Sequence, residues 1–289
     1  MTVAALAPVA GKPRTRWKEP SILPGFPLAM GWTLTYLGLI VVLPLAALVL
    51  RPWEAGLHGV WATLTEDRVL AALRLSFGTS LLAALTNVPL GLMVAWTLTR
   101  YEFPGRRIVD AFVDLPFALP TAVAGIALTA IYGPTGVLGE QFAQFGLKTA
   151  YNPIGIYIAL LFIGLPFVVR TVQPVLQDLD REVEEAAQTL GATTFQRFRM
   201  VVLPAVLPAL ISGFSLAFAR AVGEYGSVIF IAGNMPLKSE IAPLLIVIKL
   251  EQYDYAGAAT VGLAMLVISF GALLGVNFLQ IFLARRGRA

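Results

Sequence analysis

The chain has no cysteine and a single histidine, His58, among its 289 residues. The first absence excludes disulfide scaffolds, thiolate metal sites and cysteine nucleophiles. The second excludes imidazole metal clusters and a histidine-based catalytic triad, and His58 reads as a solvated loop residue. Charge is scarce as well. Asp, Glu, Lys and Arg make up 13% of the sequence, against about 25% in an average soluble domain. The phosphate-cradling pattern G-x-x-x-x-G-K-[ST] is missing, so the chain cannot hold ATP phosphates by that device. Against these shortages stand a hydrophobic content of 57% and a mean hydropathy of +0.78. A domain of this size still leaves about a quarter of its unfolded surface exposed. So much apolar surface must face lipid.

A bilayer-spanning helix needs about 20 mostly apolar residues. Stretches 28–50, 75–99 and 256–284 meet this without a charge, 111–132 meets it with Asp114 alone, and 151–169 and 201–219 are shorter and uncharged. The expected fold is therefore all-α, a membrane protein of six transmembrane helices in one domain over 28–284. Within 226–250 the apolar pieces are broken by Asn234, Pro236, Lys238, Glu240 and Lys249, which predicts a re-entrant or interfacial segment. Residues 55–74, after the first span, read as an amphipathic periplasmic segment. Basic residues cluster before the first span (Lys12, Arg14, Arg16, Lys18), between the second and third (Arg100, Arg106, Arg107), between the fourth and fifth (Arg170, Arg181, Arg197, Arg199) and after the sixth (Arg285, Arg286, Arg288). By the positive-inside rule both termini are cytoplasmic. The net charge of +4 is then a topology signal, and no nucleic-acid partner is expected. Residues 1–27 and 285–289 read as cytoplasmic tails. The first span exceeds the 7–15 residues or so of a signal-peptide core, so it reads as a retained helix in contact with lipid.

Charge inside the spans is sparse. Asp114 reads as an interfacial carboxylate near Arg106 and Arg107. Arg220 and Glu224, spaced i and i+4 at the end of the fifth span, read either as an intrahelical ion pair at the interface or as a cationic gate for an anion with Glu224 holding Arg220. Pro116 and Pro120 flank an apolar stretch ending at Thr121, where a broken helix could line a pore. Gly271 and Gly275 form a G-x-x-x-G that reads as bundle packing.

The segment 176–204 predicts a bent pair of short helices at the membrane surface. Asp178 and Asp180 suit a helix N-cap, followed by Glu182, Glu184 and Glu185 at the positive end of the helix dipole. Leu179, Val183, Ala186, Ala187 and Leu190 recur as one apolar stripe. Gly191 stands where a left-handed residue would end the helix, and Thr193 or Thr194 could cap a second helix carrying Phe195, Arg197, Phe198 and Arg199. Glu185-Ala186-Ala187, three residues, Gly191, nine residues and Val201-Val202-Leu203-Pro204 resemble the EAA signature of ABC importer permeases, with Val201 in place of the usual Ile.

Within that superfamily the chain is similar to the sulfate/thiosulfate permeases, in particular the T-type half of a T/W pair. Stretches 98–106, 114–125, 166–176 and 223–234 carry the likeness, beginning Leu98-Thr99-Arg100, Asp114-Leu115-Pro116, Pro166-Phe167-Val168 and Gly223-Glu224-Tyr225. Tyr225 stands where Phe is commoner. The resemblance implies a type I ABC importer permease fold in the bacterial inner membrane. It implies that the chain is not an enzyme and binds no cofactor, with ATP and Mg used by a partner. The implied partners are a W-type permease, two ATP-binding subunits and a periplasmic sulfate/thiosulfate-binding protein. Glu185, Ala186, Ala187, Gly191, Leu203 and Pro204 would couple to the ATPase, and Arg220, Glu224 and Thr121 would lie on the path. Another oxyanion such as molybdate is the nearer alternative, and an ion-coupled secondary carrier the more distant one.

Overall fold

The computed structural model describes residues 25–286, and among these every regular element is helical. The terminal tails expected over 1–27 and 285–289 fall largely outside the described residues. The chain divides into two compact units, residues 1–47 and 48–289. The first contributes α1 (Phe26–Leu37) and a wide turn at Gly38–Val42. It leads into α2 (Leu43–Leu50), and no residue of these three elements is buried.

The second unit begins with a 3₁₀ turn (Arg51–Ala55) and a short helix, α3 (Gly56–Thr65). Glu66, in extended conformation, separates α3 from α4 (Asp67–Arg100). At 1.5 Å per residue, the 34 residues of α4 extend about 51 Å, more than enough to cross a bilayer. The fourth and fifth spans are likewise continuous: α9 (Pro153–Asp178) and α12 (Leu203–Val222). Asn152 starts α9 by accepting hydrogen bonds from the backbone N–H groups of Ile154 and Gly155 at 2.8 and 3.2 Å. Three helices, α4, α9 and α12, bury Val69, Leu98, Val168, Val172, Leu176 and Val206 between them.

The third span is not one helix over 111–132 but is broken around Pro116 and Pro120, the break those prolines suggested. It is built from α5 (Arg106–Val113), α6 (Leu115–Ala118) and α7 (Thr121–Tyr132), with α8 (Val137–Gln144) following at a 44° bend. The physical reason is proline. Pro120 has no N–H and forces Leu119 into extended geometry, seen as φ −83° and ψ 135°. Beyond α12 lie α13 (Val228–Ile231), α14 (Ala242–Glu251) and the last span, α15 (Tyr255–Arg286).

The interrupted segment between α12 and α15 is pinned to α4. Arg68 donates to both carboxylate oxygens of Glu240 at 2.8 and 2.7 Å, and the Ala242 N–H donates to the Ser76 hydroxyl at 2.8 Å. Gly271 and Gly275, expected at a packing face, are exposed among the described residues. A methyl group added at either would meet no atom of the described residues within 4 Å.

Candidate functional site

The segment from α9 to α12 is shaped by local capping. The Asp180 carboxylate accepts from the Glu182 N–H at 3.0 Å and starts α10 (Arg181–Thr189). Gly191 closes that helix at φ +84°. Its N–H donates to the Gln188 carbonyl at 2.9 Å, and the Ala192 N–H donates to the Ala187 carbonyl at 3.0 Å, satisfying carbonyls the helix end would leave orphaned. Thr193 then forms a reciprocal capping box: its hydroxyl accepts from the Gln196 N–H at 3.3 Å, while the Gln196 side chain accepts from the Thr193 N–H at 2.8 Å. That box starts α11 (Thr194–Arg197), which passes through a wide turn at Phe198–Val202 into α12. Leu203 and Pro204 are the first residues of α12, which follows the wide turn without a break in helical backbone; the Leu203 N–H still bonds back to the Phe198 carbonyl.

The expected coupling residues thus divide into three places: Glu185, Ala186 and Ala187 on α10, Gly191 in the turn, and Leu203 with Pro204 at the head of α12. The apolar stripe is split. Leu179 packs against the core, whereas Val183, Ala186 and Leu190 face outward. Leu190 is 88% exposed and Phe195 69%. This is an apolar surface with no partner among the described residues.

Sequence reasoning missed what holds this surface in place. Glu184, half-buried, pairs with Arg100, the last residue of α4. Arg100 also donates to the Leu179 carbonyl at 3.4 Å, and its guanidinium carbon lies 5.6 Å from the centroid of the Trp96 ring. Trp96 meets Phe198 edge-on at 6.3 Å. Between them runs a groove of about 750 Å³ lined by Trp96, Tyr101, Glu184, Phe195 and Phe198. Spacing alone does not signal the Arg100–Glu184 pair: Glu182 and Glu184 stand one residue to either side of Val183 in the apolar stripe, and only the fold turns Glu184 inward.

The second set lies at the opposite end of α12. Arg220 and Glu224 form the i, i+4 ion pair. The Glu224 side chain is only 2% exposed, against 35% for Arg220, so this is not a freely solvated pair. One Glu224 oxygen also accepts from the N–H and the hydroxyl of Ser227, each at 2.9 Å. Thr121, the first residue of α7, packs against the turn beyond Glu224. A Cβ at Gly226 would stand 2.2 Å from its hydroxyl oxygen, so only glycine admits this approach. Arg220, Glu224 and Thr121 are therefore gathered around one turn.

Asp114 is not paired with Arg106 or Arg107. Arg170 of α9 reaches across, donating to the two Asp114 oxygens at 2.7 Å each and to Asp110 at 2.6 Å. Gln173 accepts from the same guanidinium at 2.6 Å. Asp110 and Asp114 stand one helical turn apart at the end of α5, so both carboxylates can meet one guanidinium fork. Among the described residues, no group of three or more His, Cys, Asp or Glu could hold a metal ion.

The sequence profile of the family described as "Binding-protein-dependent transport system inner membrane component" matches residues 87–288. The sulfate transport system permease protein CysT of Synechocystis sp. is 49% identical over 255 residues, covering 88% of this chain and 89% of that protein. Its namesakes from Salmonella typhimurium and Escherichia coli are 47% and 46% identical over 265 residues, covering 92% of this chain and 96% of theirs. Among solved structures, a chain of a bacterial alginate ABC transporter, crystallised with its alginate pentasaccharide-bound periplasmic protein, superposes with a TM-score of 0.72 at 18% identity. That match covers 88% of this chain and 92% of the other, and it supports the fold alone. The chain belongs to the inner membrane components of binding-protein-dependent transport systems, among the sulfate transport system permeases.

Proposed function

We propose that this chain is the membrane-spanning permease subunit of an ATP-driven importer that carries sulfate, and thiosulfate with it, into the cell. The observation that carries the reading is identity of 46–49% with sulfate permeases over most of the chain. The chain is a translocation component, not an enzyme, and ATP and Mg belong to separate ATP-binding subunits. Its partners are two such subunits, a second permease of the W type and an extracytoplasmic binding protein. The distribution of Lys and Arg supports a topology with both termini and α10–α11 in the cytoplasm.

On this reading the outward stripe of Val183, Ala186 and Leu190, with Phe195, docks on an ATP-binding subunit. Movement applied there reaches α12 through Gly191 and α11. It reaches α4 through the Arg100–Glu184 pair. Sulfate is a strongly hydrated dianion, and the Arg220 guanidinium, already paired with Glu224, does not replace its water. Selectivity then rests mainly with the binding protein, while Arg220 lowers the electrostatic barrier near Thr121 and Glu224 limits trapping.

The test is uptake of labelled sulfate into proteoliposomes holding the reconstituted importer. Uptake should require ATP and loaded binding protein, and thiosulfate should compete. Uptake by this chain alone under an ion gradient would overturn the reading in favour of a carrier. Preferential competition by molybdate would change the substrate.

A further inference from the structure

The helical stretch at the start of the described chain is longer than a membrane is thick. Phe26–Thr65 is a helical stretch of 40 residues, about 60 Å if fully extended as helix, against a hydrocarbon layer of about 30 Å. About half of that length must therefore lie outside the layer or along its surface. The first charges after Phe26 are Arg51 and Glu54, paired at 3.5 Å. Arg51 also sits over the ring of Tyr255, 5.7 Å from its centroid. Since Tyr255 opens the last span, this turn stands at the level where that span meets water. Gly56 then takes φ +69° and ψ 170°, values that stop the helix axis from continuing into α3. The chain turns at Gly56.

Helix α3 packs on α4 and α15 with Gly59, Val60, Thr63 and Leu64 half-buried. Its other face carries Leu57 and Trp61, 75% and 69% exposed, one turn apart, with exposed His58 and Thr65 beside them. Trp53, on the preceding turn, is also exposed. Bulk water around two indoles and a leucine is costly at about 25 cal/mol per Å² of apolar surface. Indole rings settle where an apolar body and a polar N–H both find partners, at the headgroup level of a bilayer.

We infer that α3 is a membrane-surface helix whose outward stripe, Leu57 and Trp61 with Trp53 alongside, is seated among lipid headgroups and the upper acyl chains. Lipid, rather than a protein partner, is the occupant because the stripe follows within a few residues of a 24-residue run, 27–50, that carries no charge, and because its exposed side chains are two indoles and a leucine. The inference concerns depth alone and stands whichever side of the membrane α3 occupies.

The absence of cysteine from this chain makes the experiment direct. Nitroxide labels are placed one at a time through Leu57→Cys and Trp61→Cys in the assembled transporter, in phosphatidylethanolamine/phosphatidylglycerol vesicles. The unsubstituted subunit, carried through the same labelling, gives the background. Leu39→Cys in the first span and Lys148→Cys on an exposed loop are the lipid and water references. Collision with oxygen and with a water-soluble nickel chelate is measured by electron paramagnetic resonance. Both α3 labels should report the same depth between the references, with nickel accessibility at least threefold below Lys148→Cys. Leu57→Cys keeps Trp61 in place, so its result stands even if loss of the ring shifts the helix. Nickel accessibility equal to Lys148→Cys would overturn the inference in favour of water. An immobilised label inaccessible to both reagents would overturn it in favour of a protein interface.

Discussion

Replacing Gly191 with valine isolates the turn between α10 and α11 from everything around it. Gly191 has φ +84°, and a Cβ built on it meets nothing within 4 Å. The cost of Gly191→Val therefore comes from the backbone alone, about 1–2 kcal/mol for a side chain in the left-handed region, more for a β-branched one. If the turn relaxes instead, the two bonds from the Gly191 and Ala192 N–H groups are lost, each contributing about 0.5–1.5 kcal/mol. Either way α11 loses its angle to α10, and 1.4 kcal/mol is a tenfold change in population. Sulfate uptake at matched membrane content should fall by about 5- to 30-fold, and co-purification of the ATP-binding subunit should fall with it. Insertion should be unaffected, since the turn lies outside the spans. Asparagine visits the left-handed region readily, so Gly191→Asn should retain most of the activity. Wild-type uptake in Gly191→Val would refute the reasoning, as would an Asn variant as damaged as the Val variant.

The Arg100–Glu184 pair is expected to transmit force, so Arg100→Gln and Glu184→Gln should each raise ATP hydrolysis per sulfate transported by a few-fold while leaving ATPase binding intact. An unchanged ratio removes the pair from the coupling route. At the other end of α12, Arg220→Gln leaves the buried Glu224 with Ser227 alone and should lower the amount of folded protein, because stripping a buried carboxylate of its partner costs about 3–5 kcal/mol at full burial. The double variant Arg220→Gln/Glu224→Gln should recover the fold yet transport sulfate more slowly at unchanged half-saturation; full recovery of velocity would make the pair purely structural. For topology, Lys148→Cys should react with an impermeant thiol reagent on intact cells, and Glu182→Cys only after lysis. The reverse pattern would invert the proposed orientation.

What the sequence made legible was local. Asp180, Gly191 and Thr193 act within four residues of themselves, through caps and a left-handed turn, so their roles follow from residue type and spacing. The continuous spans were legible for the same reason, being long charge-free runs. Long-range pairing was not. Asp114 lies eight residues from Arg106 in the chain, yet its partner is Arg170, 56 residues away, because α9 carries that guanidinium to the end of α5. Arg100 looked like one more topology charge until α10 placed Glu184 beside it. The breaks in the third span were signalled by Pro116 and Pro120, but a hydropathy window averages over such joints and counts one helix. The three residues grouped around Gly226 come from two spans and a turn, and no spacing rule links Thr121 to Arg220.

The clamp on the third span has a consequence for how the chain is made. α7, at 12 residues, is about 18 Å long, too short to cross the hydrocarbon layer by itself, and the extended backbone at Leu119 and Pro120 is tolerated at that depth only when protein surrounds it. Arg170 leaves the ribosome 56 residues after Asp114. At about 5–20 residues per second, Asp114 waits about 3–11 s for the residue that locks it. During that interval the nascent segment depends on the insertion machinery for shelter. A nascent chain stalled after residue 165 is therefore expected to be cleared by membrane proteases far faster than one stalled after residue 178, although the two differ by only half a helix.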